Sequence, residues 1–235
     1  MILSGCVLVC ASTQWAQSLR DLHLPRPATS DAVLIVGVLG GFERWNDQHR
    51  GIVKVANALR SLNLPGVYVA TVENHRQTVA LESIKGFVEH DREPAASHQP
   101  RVILYGQSWG GAAVISIARE LQASGIRVQL TIQVDSIGMK DGLVPPNVDN
   151  AVNLFQHDFP GLDGRTEIRA EDPLRTRILE NKQYFYRFRS YDTLSQMDGS
   201  WVRKTFGGSH AKMELDESVC AHVEALILAA VRNEL

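Results

Sequence analysis

The chain has 235 residues, of which 44% are apolar and 21% charged, and its formal net charge is −2. This balance suits one globular domain with a sizeable core. It lacks the basic character of a nucleic-acid-binding protein, so no nucleic-acid partner is expected. The three cysteines form no C-x-x-C pair, which argues against a disulfide scaffold and a structural zinc site.

The first eleven residues, MILSGCVLVCA, are almost wholly apolar. The segment Leu3-Ser4-Gly5-Cys6 resembles the lipobox of bacterial lipoproteins, in which the cysteine is lipidated. One expectation is therefore an exported, periplasmic or membrane-anchored protein whose only membrane association is a lipidated Cys6. The alternative is a cytoplasmic protein in which this stretch is a first core strand. Residues 1–28 are interpreted as leader and linker, and residues 29–235 as the folded domain.

From residue 31 onward, apolar runs typical of buried strands alternate with segments of helical periodicity. Strands are predicted at 32–38, 67–72, 101–105, 128–134 and 151–156, and helices at 47–62, 77–91, 109–123 and 212–231. Weaker strand signals lie at 165–169, 184–188 and 201–206. The alternation predicts an α/β fold, a mostly parallel central sheet with helices on both faces. In such sheets ligands bind at the carboxyl ends of the strands.

The third strand is followed by Gly106-Gln107-Ser108-Trp109-Gly110, a G-x-S-x-G motif, and then by an apolar helix. A serine in a sharp turn between strand and helix projects its hydroxyl over the sheet edge, which is the arrangement of a nucleophile elbow. A glycine-rich helix N-terminus that binds phosphate is the competing interpretation. It is disfavoured because no G-K-[ST] follows. Ser108 is therefore the predicted nucleophile.

With this motif in this setting, residues 31–235 resemble the α/β-hydrolase superfamily of lipases, esterases and thioesterases. The resemblance implies a serine, an acid and a histidine in that chain order, and it implies no metal or organic cofactor. His210, which lies in a loop before the last helix, matches the expected position of the base. His157 is a weaker rival.

Two aspartates follow predicted strands and compete for the role of the acid that orients the imidazole. Asp135 directly terminates its strand, whereas Asp158 lies in the turn-like segment HDFPGLDG. Related enzymes place the acid after either strand, the later one more often. Asp135 is preferred because a strand end is a rigid mount, and Asp158 remains the alternative.

An oxyanion hole needs two backbone N–H groups that point at the developing negative charge. The resemblance assigns one to Trp109, the residue after the nucleophile, and the other to the loop after the first strand, at Gly41 or Phe42. Leu39-Gly40 stands where the family often has His-Gly. Trp45 and Trp109 are candidates for the wall of an acyl-binding pocket, and a core role for either is equally compatible with the sequence.

The expected activity is hydrolysis of a carboxylic ester or thioester, on a small-molecule or lipid-like substrate, through an acyl-enzyme on Ser108. Transfer of the acyl group to an acceptor other than water is an alternative. A binding protein with the same fold and no catalysis is a third, because fold alone does not establish function.

Overall fold

A computed structural model describes residues 17–25, 28–89, 99–158, 162–186 and 208–235. The expected lipidation site at Cys6 and the weak strand signal at 201–206 lie outside these residues. No helix among the described ranges is long and apolar enough to cross a membrane.

The central sheet has six strands, β1 (Val33–Leu39), β2 (Val67–Glu73), β3 (Arg101–Gln107), β4 (Val128–Val134), β6 (Val148–Gln156) and β8 (Arg177–Tyr184). Their order is β2-β1-β3-β4-β6-β8, and every neighbouring pair is parallel. This confirms the fold class expected from the sequence. Two short strands, β5 (Leu143–Val144) and β7 (Arg169–Ala170), pair with each other outside the central sheet.

Helices cover both faces of this sheet. They are α1 (Gly51–Ser61), α2 (Gln77–Glu89), α3 (Trp109–Ala123), α4 (Gly208–Leu215) and α5 (Glu217–Val231). The buried strand β1 shows why: Leu34 and Val36 pack with α2 and α3, whereas Val33 and Ile35 pack with α1 and α5. Alternate residues of a strand point to opposite faces, so a continuous apolar run requires cover on both sides.

Two details of the predicted elements were wrong. The helix expected at 212–231 is two helices, because Asp216 is the N-cap of α5 and accepts a hydrogen bond from the Ser218 backbone N–H. The edge strand is β8, whose sequence RILENKQY is too polar to resemble a buried strand. The weak signal at 165–169 lies before it, and the one at 184–188 overlaps it only at Tyr184, with residues 187–188 outside the described ranges.

The strand order places a topological switch point at the carboxyl ends of β1 and β3, since the chain runs from β1 to β2 on one side and continues with β3 on the other. Ligands of open parallel sheets bind at this point. Ser108 directly follows β3, and the loop with Gly41 and Phe42 directly follows β1. The fold thus brings the predicted nucleophile and the predicted oxyanion loop to one crevice.

Candidate active site

Ser108 occupies the tight turn between β3 and α3, with φ 58° and ψ −126°. Non-glycine residues rarely adopt positive φ, and holding one there costs on the order of 1–3 kcal/mol, so it persists only where the surroundings impose it. Here the imposed backbone leaves Ser108 at the N-cap of α3 without a capping hydrogen bond from its side chain. The hydroxyl is therefore available to other partners.

The glycines of the motif let strand and helix approach closely enough to form this turn. A Cβ at Gly106 would lie 2.4 Å from the carbonyl oxygen of Gly110, and a Cβ at Gly110 would lie 2.1 Å from the carbonyl oxygen of Val38. No side chain fits at either distance. The sequence G-x-S-x-G is thus a packing requirement of this elbow.

His210 lies within hydrogen-bond reach of both Ser108 and Asp135. Its Nε2 is 3.0 Å from Ser108 Oγ, and its Nδ1 is 2.6 Å from Asp135 Oδ2. Because an ionised carboxylate only accepts, Nδ1–H donates to Asp135 and Nε2 accepts from the Ser108 hydroxyl. The expected loop position was wrong in one respect, since His210 belongs to the first turn of α4.

Asp135 is fully buried, and its carboxylate is held by more than His210. The Gln156 side chain donates to Oδ2 over 3.0 Å, and the Gln156 backbone N–H donates to Oδ1 over 3.1 Å. Gln156 ends β6, the strand next to β4, so two adjacent strand ends fix the carboxylate. A buried charge needs this many donors to offset the water it has lost.

Asp158, the alternative acid, does not contact His210 in the structure. Its Oδ2 accepts a 2.5 Å hydrogen bond from the Tyr186 backbone N–H, and its own N–H donates to the Gln156 side chain. His157 pairs with Asp163 over 3.2 Å and is 60% exposed. The contacts of both residues are therefore to the strand end of β6 and the segments after it, and not to Ser108 or His210.

The loop after β1 lies against Ser108, since a Cβ at Gly40 would be 3.0 Å from the Ser108 Cβ. The N–H of Gly40 donates to Glu43 Oε2 over 3.2 Å, and the Asn74 side chain donates to the Gly41 carbonyl. No described residue accepts a hydrogen bond from the N–H of Gly41, Phe42 or Trp109. These predicted oxyanion donors thus have no acceptor among the residues that the structure describes, and Glu43 and Asn74 hold the loop that carries two of them.

The side chains of Phe42 and Trp109 form an exposed aromatic pair beside Ser108. Their rings meet edge to face with centroids 5.8 Å apart, and they are 85% and 47% exposed. Trp45 is placed differently: its side chain packs against the core between α1, α5 and the sheet, and its carbonyl accepts a hydrogen bond from Thr71. The structure thus shows a core contact for Trp45.

Three influences act on the pKa of His210. Burial lowers it, because the charged imidazolium loses water. The hydrogen bond and the negative charge of Asp135 raise it, as do the charges of Glu214 and Glu43, and the net result is a pKa above the usual value for histidine.

Sequence reasoning missed Gln156, which holds the candidate acid, and Glu43 and Asn74, which hold the predicted oxyanion loop. The one sequence signal for Gln156 was its place as a polar residue at the end of a buried strand. Glu43 and Asn74 gave no signal, because each binds a backbone group of an irregular loop. Among the described residues, no cluster of three histidine, cysteine or acidic side chains could hold a metal ion.

No protein-family model matches the chain, and no curated protein is similar to it. Among solved structures it is similar to a novel cutinase-like protein from Cryptococcus sp., with 13% identity and a TM-score of 0.46. The match covers 87% of this chain and 98% of that one. So distant a likeness carries no argument about the site, and the fold class rests on the parallel sheet itself.

Proposed function

We propose that the protein is a serine hydrolase of the α/β-hydrolase type that cleaves a carboxylic ester or thioester through an acyl-enzyme on Ser108. The observation that carries this proposal is the hydrogen-bonded series from Ser108 Oγ to His210 Nε2 and from His210 Nδ1 to Asp135 Oδ2. A serine hydroxyl is a poor nucleophile until a neighbouring base accepts its proton, and this series supplies the base and its orienting acid.

In the first step, Ser108 Oγ attacks the carbonyl carbon of the substrate while its proton passes to His210 Nε2. The new charge on the carbonyl oxygen is stabilised by the Trp109 N–H and by the N–H of Gly41 or Phe42. Removal of a single donor of this kind costs about 10²–10³ in kcat where it has been measured. Asp135 stabilises the imidazolium through Nδ1–H.

In the second step, His210 returns the proton to the departing alcohol or thiol, and the acyl group stays on Ser108. Water then attacks the acyl-enzyme and gives its proton to His210, and His210 passes this proton to Ser108 Oγ as the bond to the acyl group breaks and the carboxylic acid leaves. A different acceptor in place of water would make the protein an acyltransferase with the same site.

The aromatic pair supports a substrate with an apolar part. Phe42 and Trp109 expose large ring surfaces next to Ser108, and covering apolar surface stabilises a complex by about 25 cal/mol per Å². We therefore propose a lipid-like or other apolar small-molecule ester. Attachment to a membrane through a lipidated Cys6 remains a separate prediction, because Cys6 lies outside the described residues.

The proposal is tested with a fluorophosphonate probe, which phosphonylates activated serines. We expect an adduct on Ser108 by peptide mass spectrometry, none in Ser108→Ala, and turnover of p-nitrophenyl esters that rises with acyl chain length. An adduct on another serine would contradict the proposal. A folded wild-type protein that forms no adduct would favour the non-catalytic binding protein.

A further inference from the structure

Arg50 lies between two buried carboxylates that belong to different parts of the site. Its Nη1 is 3.4 Å from Glu43 Oε1 and 3.3 Å from Glu214 Oε1, and its Nε donates to Asp47 over 2.9 Å. The side chains of Arg50, Glu43 and Glu214 are only 11%, 10% and 7% exposed. We call Arg50, Glu43 and Glu214 the Arg50 cluster.

Each carboxylate of the Arg50 cluster is tied to a different segment of the proposed catalytic site. Glu43 uses its other oxygen to accept the N–H of Gly40, at the start of the predicted oxyanion loop. Glu214 lies four residues after His210 in the same short helix, α4. Residues four apart share a helix face, so a contact to Glu214 fixes the face that carries His210.

The backbone packing agrees with this link. Arg50 is the N-cap of α1, and the next residue, Gly51, lies so close to α4 that a Cβ there would be 2.2 Å from the Glu214 carbonyl oxygen. The start of α1 thus packs directly against the helix that carries His210. Arg50 extends from this contact to the loop after β1.

The guanidinium is the group that permits these carboxylates to share a buried location. Without it, two largely desolvated negative charges would face each other, which is costly in a medium of low dielectric constant. A guanidinium offers several donors in one rigid plane, whereas a lysine ammonium is a single point charge on a flexible stem. The relative positions of Glu43 and Glu214, as well as the compensation of their charges, therefore depend on an arginine at residue 50.

We propose that Arg50 is a positioning residue that holds the oxyanion loop and the His210 helix at the separation needed for acyl transfer. The inference rests on the proposed function of Ser108 and His210. Arg50 acts through Glu43 and Glu214 and touches no reacting atom.

The first test compares Arg50→Met with Arg101→Met. Arg101 is a matched control, because it also makes three polar contacts through its guanidinium, but to Ala230, Val231 and Asn233 at the far end of β3 from Ser108. We expect Arg50→Met to lower kcat on a p-nitrophenyl ester on the order of 10²-fold with little change in KM, since small misplacements of reacting groups cost about this much. Arg101→Met should keep the wild-type kcat.

Arg50→Lys separates charge from geometry. It keeps the positive charge but not the planar set of donors, so kcat should stay well below the wild-type value. Full recovery of kcat in Arg50→Lys would overturn the positioning role, and so would equal kcat values in Arg50→Met and Arg101→Met.

The second test follows the ionisation of His210 by NMR in a Ser108→Ala background, where no turnover is needed. The charged groups acting on His210 among the described residues are Asp135, Glu214 and Glu43, with Arg50 opposing the last two. Adding Arg50→Met should raise the His210 pKa, and adding Glu214→Gln should lower it. A Gln or Met that merely loosened the fold would not move the pKa in opposite directions, so shifts of the same sign would overturn the proposal.

These readouts distinguish two kinds of failure. If wild-type protein forms no Ser108 adduct, the proposed hydrolase function fails, whatever the Arg50 variants do. If the adduct forms and Arg50→Met turns over ester as fast as wild type, the hydrolase stands and the positioning role of Arg50 fails.

Discussion

At the scale of single residues, two aspartates follow strands at the same sheet edge, and their contacts separate them. Asp135 faces His210 and is fixed by Gln156, whereas Asp158 binds the backbone of Tyr186. Position along the chain left the choice open, because both residues satisfy the same rule about strand ends. The contact that distinguishes them, between Asp135 and His210, depends on where α4 packs.

We predict that Asp135→Asn lowers kcat by about 10⁴, the loss measured when a triad aspartate becomes asparagine and the wrong imidazole tautomer is favoured. Asp158→Asn is the matched control. It should keep kcat within about threefold, because its side chain accepts from the Tyr186 backbone N–H and is not part of the series from Ser108 to His210 and Asp135. Steady-state kinetics on one ester measure both. Loss of activity in Asp158→Asn, with Asp135→Asn near wild type, would reverse the assignment.

A second prediction concerns the pH dependence of the reaction. His210 must be neutral to accept the Ser108 proton, and its pKa is raised in the fold. Activity, as kcat/KM, should therefore fall on the acid side with a midpoint above about 6.5, the ordinary histidine pKa. A profile of kcat/KM between pH 5 and 9 measures the midpoint. A midpoint below 6 would contradict the raised pKa.

The same shift affects stability. A histidine pKa that is higher in the folded state contributes stability at pH values below about 6.5, and this contribution is lost as pH rises through the folded-state value. His210→Gln should accordingly be more destabilising at pH 5.5 than at pH 9, as measured by urea unfolding. An equal effect at both pH values would contradict the shift.

At the scale of elements, the bounds predicted from sequence are most accurate for an element whose own apolar pattern marks it as buried. The helix expected at 109–123 has those bounds, and the strand expected at 128–134 likewise. The edge strand β8 was missed because a strand with one free edge needs no continuous apolar run, and its charges protect that edge. The break at Asp216 was missed because the apolar periodicity continues across it.

Asp216 makes this break a structural feature that can be tested. One carboxylate oxygen accepts from the Ser218 N–H over 2.8 Å, and the other accepts from the hydroxyl of Tyr186, which is fully buried. Asp216→Ala should destabilise the protein by about 2–4 kcal/mol, because it removes a helix cap and the hydrogen bond that Asp216 accepts from the buried Tyr186 hydroxyl. Urea unfolding at neutral pH measures the change in free energy.

Asp172→Ala is the control for this prediction, because Asp172 accepts a comparable backbone hydrogen bond, from Leu174, on the exposed surface. It should cost less than about 1 kcal/mol, since water replaces the lost partner. Equal losses of unfolding free energy in the two variants would show that the burial of Asp216 adds nothing to the stabilisation by its hydrogen bonds.

At the scale of the whole molecule, the candidate site is assembled from four distant parts of the chain. Gly41 follows β1, Ser108 follows β3, Asp135 follows β4, and His210 lies in the first turn of α4. Strand ends could be located from sequence, so the nucleophile and both candidate acids could be named. The lateral contacts of Arg50 could not, because they depend on how α1 and α4 pack, and no local pattern encodes that packing.

The fold also includes residues upstream of the domain start expected at residue 29. The Gln17 side chain donates to the Thr71 carbonyl over 2.6 Å and accepts from the Glu73 N–H over 3.1 Å. Leu22, in a short 3₁₀ helix at Leu19–Leu22, is 7% exposed and belongs to the core on the α2 and α3 face. Gln17 thus pairs with backbone groups of the edge strand β2.

We predict that a chain beginning at residue 29 is less stable than one beginning at residue 17. The shorter chain loses the burial of Leu22, about 1.5–3 kcal/mol, and two hydrogen bonds to β2, about 0.5–1.5 kcal/mol each. For a domain of this size, each kcal/mol lowers Tm by about 2–4 °C. Thermal unfolding of the two truncated proteins, followed by circular dichroism, measures the difference.

The double variant Gln17→Ala, Leu22→Ala in the longer chain should reproduce most of the loss, because it removes the same contacts without shortening the chain. Equal Tm values for the two truncated proteins would place the start of the stable domain at residue 29, since the contacts of Gln17 and Leu22 would then contribute nothing measurable.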